Sequence, residues 1–165
     1  MEIERKWMVK GWPVEDYPVD NEKKMRQGYL SVNPTVRIRE EAKVGGDTTW
    51  ILCFKKGKGM VRNEIEMPIS RKMFGQLEEM IGDPLIEKVR RSYRLPEGLI
   101  LEVNHVDEGL DSEFWYAEIE FETESQAKAW HPRSEELKKY LYDEVTEVDG
   151  SSMGSYWIRT RLAVM

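Results

Sequence analysis

Polar and apolar residues alternate along eight short runs of this chain. Because neighbouring side chains of a β-strand point to opposite faces, an alternation with a period of two predicts strands. The predicted strands cover residues 2–9, 25–32, 35–42, 48–56, 61–69, 86–95, 99–106 and 114–122. Short sequences rich in Gly, Pro, Asn and Asp separate several of these runs, and connections of this length favour hairpins and antiparallel pairing.

Helical patterns are fewer. Apolar residues on one stripe predict a helix over residues 70–82, with Gly82 at its end. Shorter helices are predicted at residues 134–143 and 155–164. We therefore predict an α+β protein: an eight-stranded antiparallel β-barrel, a tunnel with a charged interior, covered on its outside by a few helices. No linker or repeat divides the chain, so residues 1–165 are predicted to form a single domain.

The charged interior is predicted from pairs of like charges on the polar face of the strands. Five strands place two charges of one sign at alternate positions: Glu2 and Glu4, Arg37 and Arg39, Glu64 and Glu66, Lys88 and Arg90, and Glu118 and Glu120. The ordinary interpretation is a sheet with one solvated face. Like-charged neighbours on a sheet face repel, however. Their repetition indicates a shared face that holds counter-charges, and closure of the barrel would make that face its interior.

Such an interior suits one class of ligand. Carboxylates on one side can hold a hard divalent cation through their oxygens, and Arg and Lys on the other side can bind phosphate oxygens. A cation and basic groups together match a polyphosphate, and they are also the groups that phosphoryl transfer requires. The sequence shows no Ser/His or Cys/His nucleophile pair, so direct attack by water at a metal is the natural chemistry.

Composition narrows the function further. The 165 residues carry 25 basic and 31 acidic side chains, a net charge of −6, which argues against a general nucleic-acid binder. No apolar run approaches the ~18 residues of a membrane-spanning helix, and the acidic N-terminal sequence is unlike a signal peptide. The single cysteine, Cys53, suits a cytoplasmic protein. With only two His residues beside it, any metal is expected to be oxygen-bound Mg²⁺, Mn²⁺ or Ca²⁺.

Several short motifs follow one another along the chain. They are EIERK (2–6), QGYL (27–30), VRIR (36–39), FKKGKG followed by VRNEIE (54–66), EKVR (87–90), LEVNHV (101–106), GLDSEFWYAEIEFE (109–122) and EVT (144–146). The first fits an E-x-E-x-K signature, and the ordered set resembles the CYTH superfamily, also called triphosphate tunnel metalloenzymes. The resemblance covers nearly the whole chain. It implies an eight-stranded antiparallel tunnel that binds a triphosphate together with Mg²⁺ or Mn²⁺.

The resemblance also implies roles for individual residues. The metal-side carboxylates are Glu2, Glu4, Glu118 and Glu120, and the phosphate-binding residues are Lys6, Arg37, Arg39, Lys55, Arg62, Lys88 and Arg90. The candidate catalytic residues are Lys6, Tyr29, Glu64 and Glu66. Of these, Glu64 and Glu66 would hold a second metal or orient water, and Tyr29 would position the attacking water or the terminal phosphate.

Two positions depart from the family pattern. Cys53 occupies the Thr position of a T-x-K pattern, and the spacing favours Lys55 over Lys56 as the tunnel lysine. Asn104 lies where the family often has Asp, which leaves Glu102 as the substitute acid of that strand.

The leading hypothesis is metal-dependent hydrolysis of inorganic tripolyphosphate to pyrophosphate and phosphate. The alternatives are a class IV type adenylate cyclase, a thiamine triphosphatase and a non-catalytic polyphosphate sensor. Only Met1 precedes the first motif, which counts against a cyclase, and the full set of acids counts against a sensor. The expected partner is a small-molecule triphosphate, with no nucleic acid or membrane, and the protein is expected to be a monomer or a homodimer.

Overall fold

A computed structural model describes residues 1–162, which form nine strands and four short helices. The strands are β1 (Glu2–Met8), β2 (Val19–Val32), β3 (Thr35–Lys43), β4 (Thr48–Lys56), β5 (Val61–Ile69), β6 (Ile86–Arg94), β7 (Ile100–Val106), β8 (Phe114–Glu120) and β9 (Asp143–Glu144). The helices are α1 (Arg71–Ile81), α2 (Glu124–Ala129), α3 (Glu135–Tyr140) and α4 (Met153–Trp157), the last of which continues into a π-helical turn, Ile158–Leu162.

Eight of the strands form a closed antiparallel barrel. Their order is β5-β4-β3-β2-β6-β7-β8-β1, and β1 returns to β5 through Glu2 opposite Arg62 and Ile3 opposite Val61. The short β9 pairs with the other half of β1, at Trp7 and Met8. The predicted fold class is confirmed, and the closure turns one face of every strand toward a common interior.

The elements differ from the predicted ones mainly where the sequence lacks periodicity. β2 starts at Val19, well before the predicted residue 25, because the polar stretch 19–24 pairs with the second half of β6. The helix α2 is not predicted at all; it is six residues long and has one buried side chain, Ala127, so it shows little apolar periodicity.

The predicted helices are confirmed with adjusted ends. At α1 the Ser70 hydroxyl accepts a hydrogen bond from the Met73 amide, and Gly82 ends the helix with a φ of 76°. The predicted helix 134–143 stops at Tyr140, since Asp143 and Glu144 form β9. The C-terminal helix begins at Met153, two residues early, and positions 163–164 of that prediction lie outside the described residues. No helix within residues 1–162 has both the length and the apolar character needed to cross a membrane.

Two apolar clusters hold the helices against the barrel. The first lies on its outer surface, where Leu101, Val103 and Ile119 pack with side chains of α2 and α3. In the second, Met153 and Trp157 of α4 pack against the Tyr29 and Tyr116 side chains. By strand parity these tyrosines point inward, so α4 covers one end of the interior.

A buried ion pair fastens this C-terminal segment. The Arg161 guanidinium donates hydrogen bonds to both carboxylate oxygens of Asp107, at 2.7 and 3.2 Å, and to the carbonyls of Pro84 and Leu85. The Tyr156 hydroxyl donates to the same carboxylate at 2.6 Å. Both charged residues are buried, so each depends on the other to compensate for lost hydration.

We expect the substitution Arg161→Ala to lower the free energy of unfolding by about 3–5 kcal/mol, because it leaves the Asp107 carboxylate buried and unpaired. Urea denaturation followed by tryptophan fluorescence measures the change. The matched control is Arg159→Ala, an exposed arginine on the same helical segment with one hydrogen bond, to the Gly150 carbonyl. Its effect should stay within about 0.5 kcal/mol. Equal stability of the two variants would show that the ion pair does not anchor the segment.

Candidate active site in the barrel interior

The inward faces of the barrel strands surround one cavity of about 1290 Å³. All of the residues predicted from the sequence as site residues border it: Glu2, Glu4, Lys6, Tyr29, Arg37, Arg39, Lys55, Arg62, Glu64, Glu66, Lys88, Arg90, Glu118 and Glu120. Strand parity therefore placed them on the correct face, and closure of the barrel brought them together.

The acidic side of the cavity is formed by β1 and β8. Glu4 lies opposite Glu120 and Lys6 opposite Glu118 in the register of these two strands. Burial raises the pKa of Glu4 well above its usual value, and the Glu118 and Glu2 charges raise it further. For Glu118, burial is outweighed by Lys6 and Arg90, which lower the pKa of this carboxyl to about 2. The acids are thus crowded enough that they cannot all ionise without added positive charge.

The carboxylates fit a hard divalent cation. Glu2 Oε1 and Glu64 Oε2 are buried and accept no well-aligned hydrogen bond, although Lys55 Nζ lies 2.7 and 3.4 Å from them. Donor atoms of Cys53, Glu64 and Glu66 also lie within 4.8 Å of one another. Buried carboxylate oxygens with free lone pairs are the ligands that Mg²⁺, Mn²⁺ and Ca²⁺ take.

The basic side of the cavity carries arginines and lysines from β3 to β6. Lys55 is 9% exposed and pairs with Glu2 and Glu64, whereas Lys56 is exposed, although it also borders the cavity. The preference for Lys55 therefore agrees with its position. Arg37 Nε is buried at the cavity wall, and residues 1–162 provide no hydrogen-bond partner for it.

The two departures from the family pattern have distinct surroundings. The Asn104 side chain is fully buried, and its oxygen accepts a hydrogen bond from Arg90 Nε at 2.9 Å. Glu102 borders the cavity and lies 3.5 Å from Arg90 Nη1. On this strand the acid that reaches the cavity is therefore Glu102, while Asn104 orients an arginine. Cys53 is buried beside the basic residues, and burial raises the pKa of its thiol.

Sequence reasoning missed some cavity residues. The Glu41 carboxylate accepts hydrogen bonds from Arg39 Nε at 2.7 Å and Lys23 Nζ at 2.8 Å. Although burial opposes its ionisation, these cations lower the pKa of Glu41 to about 2. The alternation that links Arg37 and Arg39 extends to Glu41, so parity could have found it.

Other cavity residues gave only a weak signal in the sequence. Residues 146–155 border the cavity but belong mostly to a loop without periodicity. The Ser151 carbonyl of this loop accepts a hydrogen bond from Lys6 Nζ at 2.6 Å. Tyr116 also borders the cavity, and it lies in a run of aromatic residues that reads as core.

The chain is similar to known proteins over most of its length. It is 32% identical to the inorganic triphosphatase of Nitrosomonas europaea over 146 residues, which cover 88% of this chain and 89% of that protein. The crystal structure of the inorganic triphosphatase NE1496 matches 94% of this chain and 93% of its own, with 26% identity and a TM-score of 0.61. The PH1819 protein from Pyrococcus horikoshii shares the fold, with a TM-score of 0.58 and 20% identity over 78% of this chain and 82% of that one. No family model matches the chain.

A closed antiparallel barrel with acids and bases on its inner wall defines the class of triphosphate tunnel proteins. The chain belongs to the family of the Nitrosomonas inorganic triphosphatase, within the CYTH superfamily.

The crowded carboxylates lead us to expect that a divalent cation stabilises the protein. At a concentration 100 times the dissociation constant, the gain should be about 2.7 kcal/mol. Thermal unfolding with MgCl₂ or MnCl₂, against NaCl of equal ionic strength, measures it. Glu4→Gln should reduce the shift, whereas Glu122→Gln, at an exposed site outside the cavity, should keep it. An equal shift in both variants would exclude Glu4 as a ligand.

Proposed function

We propose that the chain hydrolyses a triphosphate, namely inorganic tripolyphosphate, to pyrophosphate and phosphate, using Mg²⁺ or Mn²⁺. The observation that carries this proposal is the meeting of buried carboxylates and a set of arginines and lysines in one cavity. The relative with 32% identity, named an inorganic triphosphatase, supports the same reaction.

The proposed metal ligands are Glu2, Glu4, Glu118 and Glu120. Their strands place these carboxylates on the wall shared by β1 and β8. A divalent cation bound there supplies positive charge that neutralises phosphate oxygens during the transfer.

The proposed phosphate-binding residues are Arg37, Arg39, Arg62, Arg90, Lys55, Lys88 and Lys6. Their donors face the cavity. Several of them are fixed by hydrogen-bond partners, such as Glu41 of the cavity wall for Arg39 and the buried Asn104 for Arg90. Donors that are already oriented stabilise the charge of the transferring phosphoryl group without rearrangement, which is the main contribution that a protein makes to this chemistry.

We assign the positioning of the attacking water and the transfer of protons to four residues: Lys6, Tyr29, Glu64 and Glu66. Burial lowers the pKa of Lys6 to about 8, against the opposing effect of Glu118 and Glu4, so this amine can hold and release a proton near neutral pH. The Tyr29 hydroxyl receives a hydrogen bond from Gln27 Nε2 at 3.0 Å, which fixes its position. Glu64 and Glu66, on the neighbouring wall, orient the attacking water or hold a second metal.

The proposed working unit is one domain, residues 1–165, in the cytoplasm. The continuous hydrogen-bonded barrel supports a single domain, and the single, buried Cys53 is compatible with a reducing compartment. The proposed partner is a small-molecule triphosphate, because the charged cavity lies inside the barrel, where small anions fit.

Phosphate release from tripolyphosphate, ATP, thiamine triphosphate and pyrophosphate, each with Mg²⁺, Mn²⁺ or EDTA, tests the reaction. We expect metal-dependent release that is greatest on tripolyphosphate and absent with EDTA. Formation of cyclic AMP and pyrophosphate from ATP would make the protein a cyclase instead. Greatest release from thiamine triphosphate would change the substrate but keep the reaction.

Single substitutions on the two sides of the cavity test the site. We expect Glu4→Gln and Arg39→Ala each to lower kcat/KM by at least about 100-fold, the effect typical of removing one transition-state contact. The control is Arg26→Ala, because Arg26 lies on the outward face of β2 and pairs with Glu40 and Glu78. Circular dichroism checks that the barrel forms. Normal turnover in both cavity variants would show that the reaction takes place elsewhere.

A further inference from the structure

Tyr116 lies on the cavity wall in contact with two of the buried amines. It belongs to β8, where it faces Met8 of β1 on one side and Asn104 of β7 on the other. The residue is 1% exposed, yet it borders the cavity. A buried tyrosine needs a partner for its hydroxyl, and the partner here is part of the site.

The Tyr116 hydroxyl holds Lys88. Lys88 Nζ donates a hydrogen bond to Tyr116 Oη at 2.8 Å. Among residues 1–162, no carboxylate lies within 4.0 Å of Lys88 Nζ. Burial, together with Arg90, Arg39 and Arg37, lowers the pKa of Lys88 well below its usual value. The tyrosine hydroxyl is therefore a neutral acceptor that orients this amine and leaves its other donors free for an anion.

The Tyr116 ring holds Lys6. Lys6 Nζ lies 4.4 Å from the ring centroid, and Lys88 Nζ lies 5.5 Å from the same centroid. Both distances are within the range of cation–π attraction. Within the described chain, the one hydrogen bond of the Lys6 amine is to the Ser151 carbonyl. One aromatic side chain thus contacts both buried amines.

We propose that Tyr116 is a positioning residue of the triphosphatase site, whose hydroxyl fixes Lys88 and whose ring fixes Lys6 so that both amines meet the same triphosphate. This inference rests on the proposed function. It assigns the two contacts to different parts of one side chain, so the hydroxyl contact can be removed while the ring contact is kept. A phenylalanine keeps the ring under Lys6 but removes the acceptor for Lys88.

The test compares the kinetics of Tyr116→Phe, Lys88→Met and the double variant on tripolyphosphate. We expect Tyr116→Phe to lower kcat/KM roughly 10- to 100-fold, as the loss of a hydrogen bond to a charged group does. Most of the change should be in KM, because an oriented amine binds the phosphates before and during the reaction. In the Lys88→Met background the same change should have no further effect, since the hydroxyl acts through Lys88.

The matched control is Tyr140→Phe. The Tyr140 hydroxyl also donates a hydrogen bond, which is partly buried and runs to the Gly11 carbonyl at 2.6 Å. Tyr140 does not border the cavity. We expect this variant to keep the wild-type KM and kcat. Additive losses in the double variant, or wild-type kinetics for Tyr116→Phe, would overturn the proposal, because Tyr116 would then act only as a core residue.

Binding separates this inference from the proposed function. Titration calorimetry with tripolyphosphate in EDTA measures affinity without turnover. A wild-type protein that binds tripolyphosphate in EDTA but does not hydrolyse it once Mg²⁺ or Mn²⁺ is supplied would end the proposed function, and weaker binding by Tyr116→Phe would still support the positioning of Lys88. Equal affinity of the wild type and Tyr116→Phe would overturn the positioning role even if hydrolysis occurred.

Discussion

The charged side chains of the barrel strands point inward, and the rest of the structure depends on this constraint. A closed barrel normally fills its interior with apolar side chains, but here carboxylates, guanidinium groups and amines face one another across a cavity of about 1290 Å³. Buried charges are costly unless they are paired. The interior therefore contains ion pairs such as Glu2 with Lys55 and Glu41 with Arg39.

Because the interior is polar, the apolar packing lies at the outer surface and at one end of the barrel. The helices α2 and α3 cover the outside, and α4 covers the end near Tyr29 and Tyr116. The ion pair between Arg161 and Asp107 holds that covering segment in place. Most of the apolar packing thus lies outside the cavity, although Tyr29 and Tyr116 belong both to the cavity wall and to the apolar cluster under α4. Burial beneath the loop that precedes α4 lowers the pKa of Lys6, whose amine donates a hydrogen bond to the Ser151 carbonyl of that loop.

Much of the fold followed from local patterns. Alternation with a period of two identified all eight barrel strands, and Gly82 marked the end of α1. The segments that were not predicted share one cause. The first part of β2, the short helix α2 and the loop 146–155 lack periodicity, because each is ordered by contacts with distant segments. Glu41 is the exception, since its parity was visible in the sequence.

The sequence by itself determined which side chains face the interior, since the direction of a side chain on a strand depends only on parity. It thereby determined the mixture of acids and bases that suits a metal and a triphosphate. Only the tertiary structure decided which groups become neighbours. Asn104 supports Arg90 across the β6–β7 pair, and Tyr116 lies between Lys6 and Lys88, because strand register and sheet order decide which side chains become neighbours. Parity carries no information about register, so these partners could not be read from the alternation alone.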